Sequence, residues 1–111
     1  MTQEKFVEDV NGMLGYCCDL LLRKGAEYNA DTVDRLAAFK QAGALERTTP
    51  QRALFGMLAK HLVSIQNMTD HRILDYSQPK WTEKIGDAIN YLVLLHALVA
   101  ETYEEASHEK H

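Results

Sequence analysis

A chain of 111 residues that is 46% hydrophobic and 25% charged has the composition of one ordinary globular domain. Twelve basic against sixteen acidic residues give a net charge of −4. That balance excludes the broad basic face needed for non-specific duplex DNA binding or for adsorption to an anionic membrane, while leaving room for a small anionic ligand held by a few local cations. A core of this size is modest, so sharing it with a second copy is expected. The only cysteines, Cys17 and Cys18, are neighbours that point in different directions on a helix. They predict no disulfide and fit a reducing cytoplasm. The polar start, Met1 to Lys5, predicts no signal peptide. The apolar run Tyr91–Ala100 is too short to span a bilayer.

With two prolines and almost no period-two alternation, the chain predicts an all-α domain over residues 1–111 with four helices. Helix one is expected from about Gln3 to Lys24, capped by Thr2, with Phe6, Val10, Met13, Leu14, Cys17, Leu20 and Leu21 at helical spacing. Arg23-Lys24-Gly25 is its stop: cations at the negative end of the helix, then a glycine able to turn left-handed. Helix two is expected over about Thr32–Gly43, capped by Asp31 or Thr32, with Val33, Leu36, Ala37 and Phe39 apolar. Thr49-Pro50, a capping hydroxyl before a proline at the first helical position, opens helix three, which fades near Asn67. Its core stripe is Leu54, Leu58, Leu62 and Ile65. Residues 69–78 read as a polar loop, helix four runs from near Pro79 to about Glu105, and residues 106–111 as a frayed tail.

Helix four contains the densest stretch, "KWTEKIGDAINYLVLL". At 100° per residue, Trp81, Ile85, Ala88, Leu92, Leu95 and Val99 share one side, expected to be the core stripe. Glu83, Gly86, Asp87 and Asn90 lie opposite, and one turn later that side carries Leu94 and Ala97. A helix apolar all round is normally buried all round, so a second subunit is expected over this side, and the chain is expected to be a homo-oligomer, most simply a dimer, through helix four. On helix three, Gly56, Lys60, Ser64 and Asn67 stand opposite the apolar stripe. Mid-helix Gly56 and Gly86 each cost roughly 1 kcal/mol against alanine. Either a close helix crossing or a ligand would account for that.

Glu83 and Asp87, four residues apart, share a face. They can hold Mg²⁺ through oxygen, or simply pair with Lys80 and Lys84 on a solvated face. Lys24, Lys40, Lys60, His61 and Arg52 are candidate anion ligands, although Lys24 also serves as a helix-end cation and His61 as a buried, hydrogen-bonded histidine. Tyr28, Tyr76 and Trp81 can stack on a base, Trp81 doubling as core. No serine or cysteine nucleophile with a base and no glycine-rich phosphate loop is present, so no catalytic residue is assigned.

The segments "LLLRKGAEYNADTVDRLAAFKQAGAL", "TPQRALFGMLAKHLVSI" and "WTEKIGDAINYLVLLHALV" together resemble small phage-encoded helical proteins of the nucleotide modification associated domain 1 type. More distantly they are similar to the all-helical nucleoside triphosphate pyrophosphohydrolases of the MazG and dimeric dUTPase type. The resemblance implies an oligomeric, MazG-like four-helix bundle in an infected or lysogenic bacterial cytoplasm. Those enzymes hold Mg²⁺ with an acidic pair on each of two helices. Here Glu83 and Asp87 stand for the later pair at a spacing of four instead of three, and the earlier helix reads "GMLAKHLVSI" with Lys60 and Ser64 on its polar stripe. The expectation is therefore a non-catalytic nucleotide-binding module needing no cofactor. Lys60, His61, Arg52 or Lys24 would meet phosphates, Ser64 and Tyr28 would line the site, and Glu83, Asp87 or Asn90 would take hydrogen bonds from base or ribose. Sequestering a host defence nucleotide is one use that phage context implies. The alternatives are a degenerate Mg²⁺-dependent pyrophosphohydrolase, with Glu27 or Asp31 completing a metal site at Glu83 and Asp87, and a helical module that binds a host protein.

Overall fold

The computed structural model describes the backbone of residues 1–29 and 34–109, and the side chains of 1–23 and 34–109. Within that range the protein is all-helical: α1 (Gln3–Asn29), α2 (Ala37–Leu45), α3 (Pro50–Thr69) and α4 (Gln78–Glu109), with a 3₁₀ turn at Ile73–Asp75. Thr49 is extended (φ −78°, ψ 156°) and its side chain accepts the Arg52 N–H, with Pro50 opening α3, as the local sequence predicts.

Three boundaries differ from expectation. Helix α1 runs on through Gly25 to Asn29, because a glycine ends a helix only where the chain turns left-handed, and Gly25 stays helical. Helix α2 begins at Ala37, with Asp34 Oδ1 accepting the Leu36 N–H at 2.9 Å; the expected caps Asp31 and Thr32 lie outside the described residues. The expected frayed tail is helical to Glu109.

Helices α3 and α4 form an antiparallel hairpin. Gln51 Nε2 donates to the Leu98 carbonyl at 3.2 Å and to Thr102 Oγ1 at 2.8 Å, and at the middle of the pair the His61 ring lies on Tyr91. Their loop is held by Trp81, whose Nε1 donates to the Ile73 carbonyl at 3.0 Å and whose ring meets Tyr76 edge-on. Tyr76 and Trp81 thus pack against each other and do not form an open stacking platform. Helix α2 lies on α3, and the buried cluster Leu36, Phe39, Leu54 and Leu98 joins α2, α3 and the second half of α4, with Met57, Tyr91, Leu94, Leu95 and Ala97 around it. Helix α1 packs on α4, where Cys17 is buried against Gly86.

The inward side of α4 is therefore turned from the expected one, of whose stripe Ala88 is buried and Leu95 packs on the core. Ile85 (39% exposed), Leu92 (52%) and Val99 (39%) face outward, whereas Leu94 and Ala97 join the core. On α3, Leu62 of the expected core stripe is likewise outside. A helix with two apolar stripes does not declare which one turns inward. The choice falls to its partners, and α1 and α2 come to the Gly86, Leu94 and Leu98 side. Phe6, Val7 and Leu14 of α1 are left exposed.

Eighteen residues of α4 reach a mean hydropathy of 1.2, so by length and composition alone the helix is able to cross a membrane. The Tyr91–Ala100 run taken by itself understates this. Helices α1 and α3 both pack on α4, yet only 22% of that apolar window is buried.

Lys40, a candidate anion ligand by sequence, is already engaged. Its Nζ lies 2.7 Å from Asp34 Oδ2 and 2.6 Å from Glu101 Oε1, tying the start of α2 to α4. The hydrogen bond from Lys40, then that from the Leu36 N–H, holds the Asp34 carboxyl below its usual range. Asp34, then Glu101, pushes Lys40 well above the ordinary lysine range. The stability from Asp34 is complete above the pKa it has in the unfolded chain and is lost as pH falls through its depressed folded value. That from Lys40 is complete below the ordinary lysine pKa and is lost only as pH rises past the raised one. Lys40→Met is accordingly expected to flatten the fall in melting temperature between pH ~5 and ~2. An unchanged acid limb in scanning calorimetry would count against this role.

Candidate functional site

The polar face of α4 owes its position to Gly86. A β-carbon there would stand 2.8 Å from Tyr16 Cε1 and 3.3 Å from Met13 Cε, so the missing side chain is what lets α1 cross so closely. Cys17 Sγ reaches the Gly86 carbonyl at 3.9 Å. Burial, and then the nearby negative charge of Asp87, push the Cys17 thiol up, which keeps it protonated and inert. Of the two alternatives for the mid-helix glycines, Gly86 is thus a close crossing. Gly56 is not: a β-carbon there would meet nothing within 4 Å.

Around this crossing, Glu83 is exposed and lines an open recess with Tyr16, Gln78, Pro79 and Thr82. Asp87 is half-buried. Among the described residues neither carboxylate has an ion-pair partner, Lys80 and Lys84 included. Asn90, one turn beyond Gly86, is only 7% exposed, and no described donor reaches its Oδ1. A buried polar group left unpaired costs about 1–3 kcal/mol. Glu83, Asp87 and the Asn90 oxygen therefore lie on one side of α4 as acceptors without an ion-pair or hydrogen-bond partner among the described residues.

The remaining sequence candidates do not assemble with this face. Lys60 is exposed, and no ion pair joins it to Glu83 or Asp87, because its side of α3 turns to solvent. Ser64 is half-buried on α3. His61 is half-buried with its ring centroid 4.8 Å from that of Tyr91, tilted by 39°, as a packing residue between α3 and α4. Arg52 is exposed near the α2–α3 turn, its guanidinium 6.0 Å from the Phe55 ring centroid, in an open cleft that also contains Glu46, Thr48 and Gly56. The side chains of Lys24 and Tyr28 lie outside the described residues. Sequence reasoning missed Tyr16 and Met13, since nothing local says which helix crosses Gly86. The small residue at the centre of a polar stripe was the available signal.

No three His, Cys, Asp or Glu side chains come together as a metal cluster among the described residues. Glu83 and Asp87 by themselves do not fit a Mg²⁺ centre, which needs near-octahedral oxygen ligation around a closely held ion. The acids offered by sequence to complete it, Glu27 and Asp31, have side chains outside the described residues. Compared with models of known protein families, with curated proteins and with solved structures, the chain matches none.

Proposed function

We propose that this chain is a non-catalytic, homo-oligomeric nucleotide-binding module of a phage or prophage, built as a MazG-like bundle and working in the host cytoplasm. One observation carries the reading. Among the described residues the buried Asn90 oxygen has no donor, and it lies on the same side of α4 as two carboxylates without a described cation partner. A nucleobase amino group and ribose hydroxyls are donors that these acceptors can take. Displaced solvent leaves buried acceptors unpaired unless a ligand supplies those donors. Lys60 turns to solvent on α3 and Lys40 is occupied by Asp34 and Glu101, so the phosphates are left to Lys24, the remaining lysine that the sequence offers. The resemblance to nucleotide-associated helical domains supports the ligand class, and sequestration of a host defence nucleotide is the use that goes with it.

The test is a thermal-shift screen of nucleotides, with and without Mg²⁺, followed by calorimetric titration. A true ligand at 100 times its Kd is expected to stabilise the protein by about 2.7 kcal/mol. Asn90→Leu is expected to abolish that shift while leaving the empty protein as stable or up to about 1 kcal/mol more so, since an unpaired buried amide is removed. Binding that survives in Asn90→Leu, or a panel without any shift, overturns the reading. Release of pyrophosphate that depends on Mg²⁺ would replace it by the hydrolase reading.

A further inference from the structure

We infer that the outer face of the α3/α4 hairpin is the seat of a second copy of this chain, which packs its own α3/α4 face there about a two-fold axis. This deepens only the oligomeric part of the proposed function and does not depend on the nucleotide.

The surface area is the first observation. A folded monomer of 12.6 kDa is expected to expose about 6,200 Å². This chain exposes 8425 Å². The excess is roughly 2,200 Å², against about 800 Å² per partner in a standard interface and 1,000–2,500 Å² in an obligate one. The Cα radius of gyration agrees, at 16.8 Å where a compact chain of this length would have about 13 Å. Some of the excess lies on α1, at the exposed Phe6, Val7 and Leu14. The rest needs an apolar surface large enough to matter.

The hairpin supplies it. Ile85, Leu92 and Val99 follow one another at steps of seven on α4, and all are exposed. They lie away from the side that meets α1 at Gly86 and α2 at Glu101. On α3, Phe55 and Leu62 are also seven apart and exposed, 45% and 46%, beside the buried Leu54 and Leu58 that face inward. By helical periodicity the two rows flank one groove, opposite α1 and α2. A seven-residue apolar repeat is the seam pattern of paired helices. Two such hairpins, face to face, close a four-helix core in which each row covers its symmetry mate. None of these five positions carries a charge, and each would be desolvated by an identical surface.

The experiment is sedimentation velocity on the whole chain from 1 to 100 µM, with circular dichroism and a vesicle co-sedimentation arm using zwitterionic and anionic lipid. The parent is expected to run as a dimer and to stay out of the vesicle pellet. Leu92→Gln and Leu62→Gln are each expected to raise the dissociation constant at least tenfold. Leu74→Gln is the control, because Leu74 is apolar and 86% exposed in the α3–α4 loop, off the face. Its dimer is expected to match that of the parent. A monomeric parent at 100 µM, unchanged dimers in both face variants, or an equal loss in the control would overturn the inference. So would a monomer that partitions into vesicles, which would assign the face to lipid.

Discussion

Leu54→Ala is expected to cost about 2–5 kcal/mol of folding stability, the range for a leucine removed from a packed core. Leu54 is 0% exposed and belongs to the cluster that joins α2, α3 and α4 through Leu36, Phe39 and Leu98. The cost has two parts. The lost methyl and methylene groups forfeit their transfer from water, and the cavity left behind collapses only in part, since three helices meet there and none can move without opening a second gap. A domain of this size has only about 5–15 kcal/mol in total, so the variant should be partly unfolded at modest urea. The matched control is Leu45→Ala at a position 86% exposed, which should stay within about 0.5 kcal/mol of the parent. Chemical denaturation followed by circular dichroism measures both. A midpoint for Leu54→Ala equal to that of Leu45→Ala would mean that the core lies elsewhere.

The second large effect is a contrast between glycines in the same helical context. Gly43→Ala should destabilise the protein by roughly 1–3 kcal/mol, the usual cost of overpacking. Gly56→Ala should stabilise it by up to about 1 kcal/mol, the intrinsic helix preference for alanine. The difference comes from what a β-carbon meets. At Gly43 it would stand 2.9 Å from Pro50 N and from the Thr49 carbonyl carbon, which are backbone atoms that cannot swing away. Those atoms are close because α2 ends in a tight reversal. Arg47 takes the left-handed conformation (φ 56°), and the Thr48 N–H returns to the Gly43 carbonyl at 2.8 Å. Relieving the clash would prise α3 off α2. At Gly56 the β-carbon enters open space, so only the backbone entropy term remains. Thermal melts of the two single variants decide it, and a stabilised Gly43→Ala would remove the account of this turn.

What the amino-acid sequence by itself determined here is local. Four helices, the Thr49-Pro50 start of α3 and the absence of strands among the described residues follow from caps, prolines and apolar spacing, which act within a few residues. The crowding of Glu83, Gly86, Asp87 and Asn90 onto one side of α4 is equally local, because the helical repeat alone places them. Which side of α4 turns inward was decided only by the tertiary structure. Leu92 and Leu94 are equally apolar letters two residues apart, and they end outside and inside because Leu94 packs on the cluster that α2 closes and Leu92 does not. The two mid-helix glycines were likewise indistinguishable until α1 crossed Gly86 and left Gly56 open. Lys60 looked like the natural counter-charge to the acidic stripe, but its side of α3 faces solvent, and the lysine held between two carboxylates among the described residues is Lys40. Hydrophobic periodicity marks faces without naming their partners. The free energy that chooses a partner comes from area buried between segments far apart in the chain, and that quantity exists only once the helices have met.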